Sequence, residues 1–141
     1  MSFGWSAGDI ATALVLLRNI IEALDSVDGA ASYYREAVGF LRDLERTLTP
    51  LESLEAWKTY PLYANDILRQ VQQIKGPVQD FLGGVVKYKK SLGEEAPKGH
   101  HRYIWKKLQW YLTQENKVLA LKAKIGGHMR IIDTLLYRLI L

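Results

Sequence analysis

Cysteine is absent from the 141 residues of this sequence, and proline occurs only four times. Without cysteine the chain can form neither a disulfide framework nor a thiolate metal site, and this composition fits a reducing compartment. The longest charge-free stretch in a helical pattern covers residues 10–17, whereas a membrane-spanning helix needs about 20 apolar residues. The N-terminus also lacks the positive charge of a secretory signal. We therefore expect a single cytoplasmic domain over residues 1–141.

Sequence signatures of catalysis are absent too. There is no nucleophile elbow, no phosphate-binding loop and no dinucleotide fingerprint. The side chains that favour transition metals are His100, His101 and His128, and no carboxylate stands at helical spacing from them to complete a site. We therefore expect no enzymatic activity, no cofactor and no metal.

Apolar residues recur three and four positions apart along most of the chain, and no alternating strand pattern interrupts them. The four stripes span positions 10–24, 34–54, 67–92 and 104–139. Such spacing places the apolar residues on one face of each helix. Four long amphipathic helices with short connections pack best as an antiparallel four-helix bundle, so we expect an all-α fold.

Proline and glycine predict where the long helices kink, restart or end. Thr49 and Pro50 fit the cap and first residue of a restarted helix. The stripe around Pro77 continues unbroken and therefore predicts one helix that is kinked at the proline. That helix is expected to end near Gly93, which fits a C-terminal position with left-handed backbone.

Several glycines lie inside the predicted helices, where each costs about 1 kcal/mol relative to alanine. We expect the compensating gain to be a close approach between helices. These glycines are Gly39, Gly83, Gly84 and Gly126. The pair at 126–127 also marks a place for a kink or break in a fourth helix that runs from about residue 102 to residue 139.

Charge is distributed unevenly along the chain. Residues 1–86 carry 7 basic and 11 acidic side chains, whereas residues 87–141 carry 12 and 4. The basic part contains a candidate patch for anionic lipid or a protein partner. Its members are Lys87, Lys89, Lys90, Arg102, Lys106 and Lys107.

Aromatic residues lie among these basic residues, at Trp105, Trp110 and Tyr111. The rings fit core packing with the lysines pointing to solvent. They also fit a membrane-interface patch, a contact with a protein partner, or stacking on nucleic-acid bases. Of these alternatives nucleic acid has the least support, and we expect no nucleic-acid partner.

The start of the first helix is apolar nearly all round, because residues 1–17 carry Asp9 as their one charged side chain. A stripe of three residues is enough for packing in a bundle, so the remaining large apolar side chains are surplus to it. We therefore predict that the N-terminal helix is a membrane-active element; the alternative is that it is simply the central buried helix. The residues of the predicted membrane-active element are Phe3, Trp5, Ile10, Leu14, Val15, Leu16 and Leu17.

The sequence resembles fungal proteins that begin with a short all-helical domain. The likeness is carried by blocks such as Pro-Val-Gln-Asp-Phe-Leu at 77–82 and Trp-Lys-Lys-Leu-Gln-Trp at 105–110. The remaining blocks are 1–10, 29–36, 87–93, 118–121, His128, 131–132 and 135–136. They cover nearly the whole chain in order. At 113–115 the sequence Thr-Gln-Glu is more polar than in the relatives.

The domain looks similar to the HeLo-like and SesA-type domains of fungal programmed cell death, and to the helical bundles of plant coiled-coil immune receptors. The resemblance implies a cell-death or allorecognition role through membrane targeting after oligomerisation, with relocation to the plasma membrane. It also implies that the chain is the N-terminal domain of a longer protein, ahead of a ubiquitin-like or NLR-type region. The alternative is a passive adaptor domain of a larger receptor, since the bundle alone explains every apolar stripe.

Overall fold

The computed structural model describes residues 7–25, 32–52, 61–95, 101–113 and 115–140, and all the regular structure in these ranges is helical. The five helices are α1 (Ala7–Asp25), α2 (Ser32–Glu52), α3 (Pro61–Glu95), α4 (His101–Thr113) and α5 (Lys117–Ile140). The all-α class predicted from the apolar spacing is thus confirmed for the described residues.

Helix α3 continues through Pro77 without a break, as its stripe predicts. The apolar residues before and after the proline point into the same core, so tertiary packing offsets the hydrogen bond that proline removes. The predicted end of this helix was wrong by two residues, because Gly93 lies inside α3, which ends at Glu95.

The restart predicted at Thr49 is also wrong. Pro50 lies inside α2, which continues to Glu52. The Thr49 hydroxyl donates to the carbonyl oxygen of Glu45, one turn earlier, at 2.7 Å, so it supports the existing helix. Pro50 lacks the N–H that would bond the carbonyl of Arg46, but only two residues of α2 follow it, so the loss is confined to the last turn.

The single fourth helix expected from the sequence is two helices. The chain leaves α4 after Thr113, and Asn116 adopts left-handed backbone with a φ of 56°. The carbonyl of Asn116 accepts the first bond of α5, from the amide of Ala120 at 2.8 Å, which makes Asn116 the N-cap residue of α5. The glycine pair at 126–127, where a break was expected, lies inside α5.

The long helices pack as two pairs, α1 with α2 and α3 with α5, and the pairs meet along α2 and α5. Glu36 of α2 forms an ion pair with Lys122 of α5, and Thr47 further along α2 bonds Asp133 further along α5. Both partners advance in the same sense, so α2 and α5 run parallel. Consecutive long helices run in opposite directions, but these two neighbours do not.

Helix α4 packs beside the last turns of α1 and α3 and contacts all four other helices. The side-chain amide of Gln109 donates to the carbonyl oxygen of Ala23 near the end of α1, at 2.8 Å. Tyr111 stacks on Tyr88 near the end of α3, and Lys117 at the start of α5 lies 5.4 Å from the Tyr111 ring centre. Helix α4 therefore covers the end where α1 and α3 finish and α5 begins.

The core is built from the four predicted stripes. Stripe residues whose side chains the structure describes are buried, apart from Phe81 and Tyr88, which are half-buried against the core. Thr47 is the buried polar side chain of the described residues, and the described part of the chain contains no buried side-chain polar atom without a partner.

Most helical glycines do not allow a close approach between helices, contrary to the prediction. A Cβ atom added at Gly39, Gly83 or either glycine of the 126–127 pair would meet nothing within 4 Å. Gly84 is different, because its Cβ would lie 3.1 Å from the hydroxyl of Tyr111. Among the glycines that the structure describes, Gly84 is therefore the one whose missing side chain allows a close contact.

Candidate functional site

The predicted membrane-active residues of α1 divide into buried and exposed positions. Ile10, Leu14 and Leu17 are buried in the core, at 2%, 1% and 0% exposure. Val15 on the outer side is 54% exposed, and Leu16 is half-buried against the core. Phe3 and Trp5 lie outside the described residues. The inner stripe of α1 is therefore buried in the core of the domain. Val15 is the large apolar side chain of α1 that is exposed to solvent.

The predicted basic patch lies on two helices at the end covered by α4. Lys87, Lys89 and Lys90 of α3 and Lys106 and Lys107 of α4 are all exposed. The side chain of Arg102 lies outside the described part. The three α3 lysines do not share one face, because Lys89 lines a groove beside α1, whereas Lys87 and Lys90, three residues apart, point outward.

The outer face of α4 combines charge with an aromatic ring. Trp110 is 49% exposed, and it follows Lys107 by three residues and Lys106 by four, so the three side chains share one face. Leu108 and Leu112 on the opposite face are buried in the core. The core-packing interpretation of the aromatic residues therefore does not hold for Trp110. The side chain of Trp105 lies outside the described part.

Tyr111 has a different role from its neighbour Trp110. Its ring stacks on that of Tyr88 with the centres 4.3 Å apart and the planes 14° from parallel. Its hydroxyl reaches the surface of α3 at Gly84, where a side chain would be in the way. The sequence predicts Tyr111 only as one ring of an aromatic cluster. The signal that could have placed it is the glycine at 84, one turn before Tyr88.

A shallow groove lies between α1 and α3. Leu16 and Leu82 line both of its halves, and Leu108 closes it near α4. The free volumes of the halves, about 50 and 190 Å³, lie below the about 300–1,000 Å³ of ligand pockets. The groove therefore does not fit a drug-sized small molecule.

The start of α1 lies at the opposite end of the molecule from α4. The groove brings Thr12 near Gln79 and Asn19 near Lys89, so α1 and α3 run parallel. Since α1 has 19 residues, its start lies about 28 Å from the end covered by α4. Leu16 and Lys89 line the same part of the groove, so the middle of α1 lies beside the α3 part of the basic patch.

Polar clusters in the described ranges stabilise the helices and hold no metal site. No group of three or more His, Cys, Asp or Glu side chains there could bind a metal ion. The Nδ1 atom of His128 lies 2.7 Å from the side-chain oxygen of Gln70, which joins α5 to α3. Arg18 of α1 forms an ion pair with Glu45 of α2 at 2.9 Å.

None of the described helices combines the length and the apolar character needed to cross a bilayer. Comparison with protein-family models, with curated proteins and with solved structures finds no match to this chain.

Proposed function

We propose that the chain is a signalling domain that binds anionic membrane surfaces through the end covered by α4 and acts in cell death or allorecognition after self-association. The observation that carries the proposal is the outer face of α4, where Trp110 is half-exposed beside Lys106 and Lys107. Trp110 is not part of the core, so its ring is accessible to a partner.

This combination of residues suits the surface of an anionic bilayer. Tryptophan prefers the headgroup level of membranes because its ring is apolar and its N–H is polar. Each basic residue near an anionic surface contributes about 1 kcal/mol. Lys87 and Lys90 on the neighbouring α3 add to the positive potential at the same end. A peripheral contact of this kind requires no helix to enter the bilayer.

The resemblance to fungal HeLo-like domains supplies the biological context of the proposal. In this view the helices form a four-helix bundle with α4 across one end, and the chain is the N-terminal domain of a larger receptor. Clustering of several receptors would concentrate weak membrane contacts at the plasma membrane, because linked contacts bind with higher avidity than single ones. The exposed Val15 and the segment before Ala7 would then act as the membrane-active element.

A passive adaptor domain is the second candidate function, and one observation favours it. Ile10, Leu14 and Leu17 are buried, so α1 has no free apolar stripe in this state. An adaptor would use the bundle only to bring larger receptors together, and it would not bind lipid.

The experiment that separates the two functions is sedimentation with vesicles of phosphatidylcholine alone and of phosphatidylcholine mixed with phosphatidylserine. We expect binding to the anionic vesicles only, weakening with salt because screening shortens the range of the attraction. The variant K106E/K107E/W110A should lose this binding. The control K124E/R130E makes the same change of charge on α5 and should retain most of it.

Equal sedimentation of the triple variant and the intact chain would contradict a contact through α4. Absence of binding by the intact chain, even when it is fused to a dimerising partner, would leave the adaptor function.

A further inference from the structure

The attachment of α4 differs from that of the other helices. Helix α4 has 13 residues, near the lower limit at which an isolated helix is stable in water. Of the α4 side chains that the structure describes, Leu108 and Leu112 are buried in the core. Other contacts of its described side chains include the Gln109 bond to α1 and the stack of Tyr111 on Tyr88. A short helix opens locally more readily than the long helices of a bundle.

Tyr111 packs against the surface of α3 at Gly84 and Tyr88. Gly84 leaves room for the Tyr111 hydroxyl, and Tyr88, one turn later, provides a parallel ring beside it. Gly83, the preceding residue, has open space around it. Of these two adjacent glycines, only Gly84 makes room for the Tyr111 hydroxyl.

Gln109 connects this helix to α1. Its amide donates to the carbonyl of Ala23, and the last four carbonyls of a helix have no partner within it. Leu108 lines the groove together with Ile20 of α1 and Val85 of α3. Helix α4 therefore both caps the end of α1 and closes the groove beside it.

We infer that α4 is a latch that opens on contact with an anionic membrane and thereby releases the end of α1, an inference that rests on the proposed lipid contact. A closed α4 offers the membrane Trp110, Lys106 and Lys107. An open α4 also offers the apolar face with Leu108 and Leu112, which makes it an amphipathic helix of the kind that lies in the interface. Because the open form binds the membrane better, the membrane shifts the population toward it.

The test without lipid is hydrogen exchange in the variants Gly84→Leu and Gly83→Leu. A leucine at 84 displaces Tyr111, so exchange in α4 and in the last turn of α1 should speed up about tenfold or more, since overpacking weakens a local contact. A leucine at 83 meets open space and should leave both regions as in the intact chain. Helix α5 near Asp133 should be unchanged in both variants.

Faster exchange in α4 without any change in α1 would overturn the inference, as would unchanged exchange in both. If Gly84→Leu does not fold, Gln109→Ala provides the second variant. It removes the bond to Ala23 and should speed exchange at the end of α1 while circular dichroism stays that of the intact chain. Unchanged exchange at the end of α1 in this variant would overturn the inference as well.

The test with lipid uses vesicles that contain phosphatidylserine. The intact chain on these vesicles should show the same faster exchange at the end of α1 that Gly84→Leu shows in solution, and Gly84→Leu should bind them more tightly than Gly83→Leu. Vesicle binding with a protected α1 would overturn the latch while leaving the proposed function intact. Passing the solution test without any vesicle binding would support the coupling of α4 to α1 and contradict the proposed lipid contact.

Discussion

The hydroxyl of Thr47 lies 2.7 Å from a carboxylate oxygen of Asp133, and this bond joins α2 to α5. Thr47 is 2% exposed, and its hydroxyl also lies 3.0 Å from the carbonyl of Asp43 in its own helix. One hydroxyl proton therefore serves two acceptors, one within α2 and one on the neighbouring helix. Together with the ion pair of Glu36 and Lys122, this contact sets the parallel register of two helices that are distant in sequence.

The first prediction concerns this contact. Thr47→Val keeps the shape of the side chain but removes the hydroxyl, and it should lower the free energy of unfolding by about 0.5–1.5 kcal/mol. Asp133→Ala should cost less, because the hydroxyl retains the carbonyl of Asp43 as an acceptor. Urea unfolding of both variants measures the difference. A larger loss for Asp133→Ala than for Thr47→Val would show that the carboxylate has another role.

The second prediction concerns the inner stripe of α1. Leu17 is fully buried, so Leu17→Ala should lower the free energy of unfolding by about 2–5 kcal/mol through lost burial and the cavity left behind. Val15→Ala is the matched control on the outer side, where substitutions usually change stability by about 0.5 kcal/mol or less. Similar small losses for both variants in urea unfolding would mean that α1 is not part of the core.

This division of α1 decides which variants can test a killing activity. Leu14→Glu would place a charge at a position with 1% exposure and would unfold the chain. Val15→Glu instead changes the outer side and should leave the fold intact by circular dichroism. If Val15→Glu is expressed, stays folded and kills cells as well as the intact chain, then the outer side of α1 is not the membrane-active element.

The buried residues could be predicted from the sequence because a helix repeats its faces regularly, and Ile67, Val71 and Ile74 all lie where their spacing puts them. The break at Asn116 was missed although the sequence carries a signal for it, because five polar residues at 113–117 separate Leu112 from Val118 and this step of six departs from the spacing of three and four. Sequence reasoning placed Trp110 in the basic region, but its exposure depends on which face of α4 the other helices cover.

The third prediction uses the glycines that have no packing role. Gly126→Ala should raise the free energy of unfolding by up to about 1 kcal/mol, because alanine restricts the unfolded chain and favours the helix. Gly84→Ala gains the same propensity but must push back the hydroxyl of Tyr111, so it should stabilise the chain less or destabilise it. Thermal unfolding of the two variants ranks them. An equal gain at both positions would mean that Tyr111 moves aside freely.

The last prediction concerns the turn between α4 and α5. Asn116 holds a φ of 56°, and left-handed backbone costs most residues with a side chain about 1–2 kcal/mol, whereas glycine and asparagine tolerate it. Asn116→Ala should therefore destabilise the chain by about 1 kcal/mol, and Asn116→Gly should be close to neutral. Glu115→Ala, at the exposed neighbouring position, is the control and should change little.

An alanine at 116 also favours right-handed backbone, which would join α4 and α5 into the single helix that the apolar stripe predicts and would draw Tyr111 away from Gly84. The two effects are separable, because lost Tyr88–Tyr111 stacking would change the near-ultraviolet circular dichroism, whereas backbone strain alone would lower only the unfolding midpoint in urea. An Asn116→Ala variant as stable as the intact chain would show that the turn does not require left-handed backbone.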